Sequence, residues 1–199
     1  MKIIKLPDTK FNKNIELIKN FGEPTLIIDG LVESGYLLTN IWKIGISKLL
    51  PRFFSPKKVL LLGLGGGSNA ILCNKLFPKS QITAVEIDPK MVEIAEKYFG
   101  LKKIKNLKIV IKDAEKYILD NKVQYDLALV DCFVGKYIPQ KLQTAEFISK
   151  LYSNSRFTLI NRIWGNEHHQ ETIFFLRQLS NHFYYQITHT KTNIVVSLL

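Results

Sequence analysis

Carboxylates and glycines at the ends of apolar runs are the residues best placed to do chemistry. Gly63, Gly65, Gly66 and Gly67 follow the apolar run 59–62 directly and precede a helix-like segment. A turn of this kind lets a ligand approach the backbone closely, and the helix start behind it offers free N–H groups. Glu86 ends the next apolar run, a little over ~20 residues past Gly63, where an acid can grip both hydroxyls of a ribose. Ile87 beside it offers an apolar face for a base. Asp113 and Asp131 end two further runs. A buried acid at the carboxyl edge of a strand, facing a crevice, is placed to orient or deprotonate a nucleophile, and Asp131 is the candidate for that role. Each acid also has a plainer reading: Asp88 and Asp113 as helix N-caps, Asp131 as a loop cap.

The elements that must hold these residues alternate. Strands are expected at 59–62, 81–86, 107–111, 125–130 and 157–161, with helices at 68–77, 91–99, 114–120, 144–152 and 167–181. Asp88 followed by Pro89 is a strong helix start, and Gly100 ends that helix. The tail breaks the alternation: strands at 183–188 and 193–198 flank a turn too short for anything but antiparallel neighbours. Before residue 57 a small hairpin turns around Gly30, and a helix at 42–50 stops before Pro51. The expected domains are an N-terminal extension, 1–54, and a Rossmann-like domain, 55–199. A nicotinamide oxidoreductase would be expected to continue with helical crossovers where this chain has a hairpin.

Bulk properties narrow the class. The chain has 199 residues, 46% hydrophobic and 23% charged, which suits one globular domain with a small appendage. No secretory signal is visible, and the longest strand-like apolar run is far short of the ~20 residues that span a bilayer. Cys73 and Cys132 lack metal-ligand spacing, so no metal is expected and a reduced, cytoplasmic setting is. The net charge of +11 is mostly lysine, densest at Lys102, Lys103, Lys105, Lys108 and Lys112. It reads as a solvated rim, with nucleic-acid contact the weaker reading, and it opposes a polycationic substrate.

The motifs VLLLGLGGGSNA, AVEIDPKMVEIAEKYFG, KIVIKDAEKYI and YDLALVDCFVGKYIP, with LIIDGLVESG before them, resemble the spermidine synthase-like family. The resemblance implies a class I S-adenosylmethionine-dependent methyltransferase fold: an α/β, mostly parallel seven-stranded twisted sheet closed by an antiparallel hairpin. It implies S-adenosylmethionine, or its decarboxylated form, held by Gly63, Gly65, Gly67, Glu86 and Ile87, with Asp113 and the Ala114 N–H on the adenine. Asp131 would handle the nucleophile, and Tyr36, Tyr137, Asn161 and Trp164 would line the acceptor pocket. The expected partner is a small-molecule acceptor, with a homodimer as an open alternative and no membrane. Departures matter too. Polyamine synthases carry an acid after the glycines, where this chain has Ser68-Asn69, and a second one where it has Val134. Their amine-holding acid pair and tyrosine fall here on Leu38, Thr39 and Trp42. Methyl transfer to an unknown acceptor is therefore the first expectation. Aminopropyl transfer and a non-catalytic adenosyl-binding module are the alternatives.

Overall fold

The computed structural model describes residues 1–19, 22 and 24–199. Strands β1 (Lys2–Leu6), β2 (Ile15–Lys19), β3 (Thr25–Ile28) and β4 (Leu31–Ser34) form an antiparallel sheet in chain order. Asp29 and Gly30 both have positive φ, 48° and 83°, which is the two-residue hairpin turn that an Asp-Gly pair favours. Helix α1 (Tyr36–Leu49) follows. Next come β5 (Lys58–Leu62), α2 (Ser68–Leu76), β6 (Gln81–Glu86), α3 (Pro89–Tyr98), β7 (Leu107–Ile111) and α4 (Ala114–Asp120). The chain ends with β8 (Tyr125–Val130), α5 (Ala145–Ser153), β9 (Ser155–Ile163), α6 (His169–Ser180), β10 (Tyr185–His189) and β11 (Asn193–Leu198).

The second sheet runs β10-β11-β9-β8-β5-β6-β7. Strands β5 to β9 are mutually parallel, and β11 lies antiparallel between β9 and β10. The expected α/β sheet with its closing hairpin is therefore present. Its central strands β5, β8 and β11 are buried on both faces, while the edge strands β7 and β10 are partly exposed. Along β5, Val59 and Leu61 join the core beneath α1, α2 and α3, while Leu60 and Leu62 join the core beneath α4, α5 and α6. Asp88 caps α3 by accepting from the Lys90 N–H, and Pro89 sits at its first position. Among the described residues no helix is long and apolar enough to cross a membrane.

The N-terminal region holds more than the expected hairpin and helix. β1 and β2 add two strands; Ile15 and Leu17 alternate inward, whereas β1 is an edge strand, mostly exposed, with Ile4 and Leu6 packed against the core. Helix α1 starts at Tyr36, not at Trp42, because Leu38, Ile41, Trp42, Gly45 and Ile46 make one continuous buried stripe. That stripe lies against the main sheet. A Cβ on Gly45 would come within 2.9 Å of Val195 on β11, so the glycine sets how closely helix and sheet approach.

Candidate active site

The strand order reverses between β5 and β8, so a crevice opens at their carboxyl ends. Gly63 follows β5 and Asp131 follows β8. The Asp131 N–H donates to the Leu62 carbonyl at 2.8 Å, and the Gly63 N–H donates to the Val85 carbonyl at 2.9 Å. Gly63 has φ +87°, and a Cβ there would sit 2.1 Å from the Asp131 carbonyl oxygen. Only glycine fits that crossing. The rest of the glycine run serves the N-terminal hairpin as well as any ligand. The Gly66 N–H donates to Ser34 Oγ at 2.6 Å, and the Gly35 N–H donates to Ser68 Oγ at 2.8 Å. Gly67 is the left-handed N-cap of α2 and packs against Leu101, away from the cleft.

Glu86 is 8% exposed. Its Oε2 accepts from the Leu64 and Gly65 N–H groups at 2.9 and 3.3 Å, and Oε1 accepts from the Asp88 N–H at 3.0 Å. Burial raises its pKa above the ordinary carboxylate value, against the pull of these backbone donors. The acid thus staples the glycine turn to β6, with the Ile87 backbone N–H acting on it as well. Asp88 is committed elsewhere: Oδ2 accepts from Thr9 Oγ1 and from Asn12 Nδ2, tying the loop between β1 and β2 to the main domain.

Gly63, Gly65, Glu86, Ile87, Asp113 and Ala114 line a cleft of about 250 Å³, together with Asp131. Asp113 caps α4 through the Lys116 N–H and also pairs with Lys141 Nζ. Despite its partial burial, these partners hold its carboxyl below the ordinary range. Cys132 lines the same cleft, and burial followed by the charges of Glu86, Asp131 and Asp113 raises its thiol well above the usual value. It is a protonated wall, without the thiolate a nucleophile needs.

Asp131 sits at the centre of a polar web. Oδ2 accepts from Trp42 Nε1 at 2.9 Å and from Asn69 Nδ2 at 2.8 Å, and Oδ1 accepts from Asn161 Nδ2 at 2.8 Å. Asn161 is oriented in turn by Asn193 Nδ2, which donates to its Oδ1 at 2.9 Å. A second cavity of about 230 Å³ opens beyond, walled by Leu37, Leu38, Ile41 and Ile163. Glu33, Asp131 and Phe133 belong to both spaces and form their junction.

Three expected acceptor residues do not reach this site. Tyr36 opens α1 on its solvent side and is 70% exposed. Tyr137 closes a tight turn with Val134 and lays its ring 5.7 Å from His168, on a groove between α5 and α6. Trp164 packs edge-on against His169 and His189. β9 runs on to Ile163, so its two-residue period sends Asn161 and Ile163 to the second cavity. Arg162 turns to the opposite face, over the Phe175 ring. Sequence reasoning missed Glu33, Asn69 and Asn193. Period-two alternation along β4 sets Glu33 on the face opposite Ser34, but which face meets the crevice depends on how the hairpin docks, with Ser34 fully buried against the glycine run.

The spermine/spermidine synthase domain family model matches residues 46–189. A polyamine aminopropyltransferase of Vibrio vulnificus is 33% identical over 152 residues, covering 72% of this chain and 51% of that protein. The chain therefore spans about half the length of that relative. An eEF1A lysine and N-terminal methyltransferase homolog of Drosophila pseudoobscura pseudoobscura is 42% identical over 78 residues, 38% of this chain and 12% of that one. Human methyltransferase-like protein 13, solved in complex with SAH, superposes with a TM-score of 0.62 at 24% identity, covering 81% of this chain and 77% of its own. That likeness shows the fold. With the family model covering most of the main sheet and the crevice residues in it, this chain belongs to the spermine/spermidine synthase domain family.

Proposed function

We propose that the protein is an S-adenosylmethionine-dependent transferase that moves a methyl group to an acceptor held beside Asp131. The observation that carries this reading is the pairing of two spaces at one junction: a glycine-walled cleft and a second, mostly apolar cavity sharing Glu33, Asp131 and Phe133. The cleft suits an adenosyl ligand. Gly63 and Gly65 bring bare backbone to its wall, and Glu86 lines the cleft where a ribose hydroxyl would meet a carboxylate. Ile87 and Met91 give apolar faces for a base, whose edge would meet Asp113 and the Ala114 N–H. The sulfonium, when bound, supplies an already activated carbon. The chain's residues then have mainly to align acceptor and donor in line and keep water out. Asp131, fixed by three donors, does the orienting.

Aminopropyl transfer is the second reading, favoured by the Vibrio relative's name and its 33% identity. The second cavity argues against a diamine. Its only acids among the described residues, Glu33 and Asp131, lie at the junction, so a distal ammonium would meet neutral walls, Leu37, Leu38 and Ile41 with Thr192 and Asn193. Removing that ammonium from water without a charged partner is costly. Calorimetry with S-adenosylmethionine, its decarboxylated form and NADH tests both readings. Preference for S-adenosylmethionine is expected. Preference for the decarboxylated form would replace methyl with aminopropyl transfer, and binding of neither adenosyl ligand would overturn the transferase reading.

A further inference from the structure

The acids around the crevice differ in whether they have partners. Glu86 accepts from backbone N–H groups, Asp131 from Trp42, Asn69 and Asn161, and Asp113 from Lys141 and the Lys116 N–H. Glu33 has none: it is half-buried, and no hydrogen-bond donor among the described residues reaches its carboxyl. It lies where the two cavities meet. Burial, then the charges of Asp131 and Glu86, push its pKa up to about 8. The junction therefore holds a half-buried carboxylate without donors, set between two cavities and close to Asp131. Such a place is short of one positive charge that carries N–H groups.

We propose that Glu33 is a catalytic base of this site, receiving the single ammonium of a primary alkyl amine acceptor and taking its proton before transfer. The proposal rests on the transferase reading above and adds to it the proton acceptor and an acceptor with one charge. Asp131 is less suited to take the proton, because three donors already occupy it and leave a single lone pair. The step balances. The ammonium gives one proton to the Glu33 carboxylate, and the freed nitrogen lone pair attacks the sulfonium-bound carbon. The carbon–sulfur bond breaks with its electrons going to sulfur, and Glu33 later passes its proton to water. The products are an alkylated ammonium, a neutral thioether and one proton. The alkyl stem lies along Leu37, Leu38 and Ile41, which accept methylenes and offer no second charge. The titratable groups facing Glu33 are Asp131 and Glu86 at its side, with Asp113, Lys141, Lys112 and Cys132 around the cleft.

The test uses SAH-loaded protein, so that loss of cofactor binding, which would sink the transferase reading, is seen separately. The probes are n-butylammonium, for a free amine, and N-acetyl-lysine methylamide, for a lysine side chain; n-butanol is the neutral control. At least one amine should bind wild-type protein, with about one proton released per amine at pH 7, because pairing restores the ionised form of Glu33. The stronger of the two probes names the source of the amine. In Glu33→Gln the proton release should vanish and amine affinity fall at least tenfold, while SAH and n-butanol bind as before. As a measurement that needs no variant, the carboxyl NMR signal of Glu33 in wild-type protein should titrate at lower pH when the amine is bound. Failure of both amines to bind, or equal amine binding by Glu33→Gln, would overturn the proposal. So would a loss in the variant confined to S-adenosylmethionine relative to SAH, since Glu33 would then be serving the sulfonium.

Discussion

Replacing Glu33 by Gln should change how stability depends on pH, and the direction follows from its surroundings. Its ordinary carboxyl value of 4.5 is pushed up to about 8 in the folded chain, first by burial and then by Asp131 and Glu86. Between those two values the native state binds more protons than the unfolded chain, so stability falls as pH rises. The contribution is fully present below 4.5 and is lost as pH passes through about 8. Each pKa unit corresponds to about 1.4 kcal/mol, which sets a ceiling on the order of 5 kcal/mol. One edge of the carboxyl opens on a wet cavity, so the expected loss is on the order of 2–4 kcal/mol. The glutamine variant lacks this ionisation and keeps nearly the same shape. Urea unfolding of ligand-free wild type and Glu33→Gln at pH 5, 7 and 9 should show the variant gaining on wild type by that amount. Glu86 and the remaining titrating groups are present in both chains, so the difference isolates Glu33. Parallel pH profiles would refute the reasoning, because they would mean that Glu33 is solvated and carries no unmet demand for a cation.

Other parts of the site make separate predictions. Gly63→Ala forces a Cβ to 2.1 Å from the Asp131 carbonyl, where backbone must shift, so adenosyl binding should be lost and the melting temperature should fall; near-native binding in calorimetry would show that β5 and β8 can separate cheaply. Trp42→Phe keeps an aromatic ring and removes the 2.9 Å N–H donor to Asp131. A loss of about 1.5–3 kcal/mol, the usual range for a hydrogen bond to a charged group, should appear as a lower kcat with SAH affinity intact, and an unchanged kcat would deny Asp131 its orienting role. Glu86→Gln places an amide NH2 against the Leu64, Gly65 or Asp88 N–H, so amide exchange in the glycine turn should speed up and cofactor affinity drop ten- to a hundredfold; unaltered exchange would show that Glu86 does not staple the turn.

Much of the fold was legible because it follows from local signals. β6, β7, β8 and β11 begin and end where the apolar runs do, and the short turn before Asn193 fixed an antiparallel ending. Gly63, Glu86, Asp113 and Asp131 could be placed on one cleft for a topological reason, since carboxyl ends of parallel strands converge on one edge. Orientation within a turn is not encoded that way. Tyr36, Tyr137 and Trp164 stand close in sequence to site residues, yet Tyr36 opens α1 on its solvent side, Tyr137 turns toward His168, and Trp164, just past the end of β9, packs against His169 and His189. Glu33 was hidden by a tertiary fact, the docking of β4 on the glycine run through Ser34 and Gly66. The glycines carry two messages at once, room for a ligand and room for the hairpin, and the sequence cannot separate them.

The two central acids have opposite electrostatic fates, and that contrast constrains the chemistry. Asp131 draws on α1, α2 and β9 for its three donors, so its position is determined by the packed core and does not depend on a ligand. Glu33 comes from the appended hairpin and is left bare. A group that is fully hydrogen-bonded before the acceptor arrives can hold geometry, whereas one that lacks partners gains most when a cation arrives. With a net charge of +11 over the whole chain, long-range attraction cannot be what brings a cation here; the local deficit at the junction must do it. That deficit is a single charge wide. Leu38 and Thr39 stand where family resemblance places an amine-holding acid pair, and Leu38 is a wall of the apolar cavity. The hairpin and α1 thus convert a scaffold shared with polyamine enzymes into a site sized for one ammonium on an apolar stem.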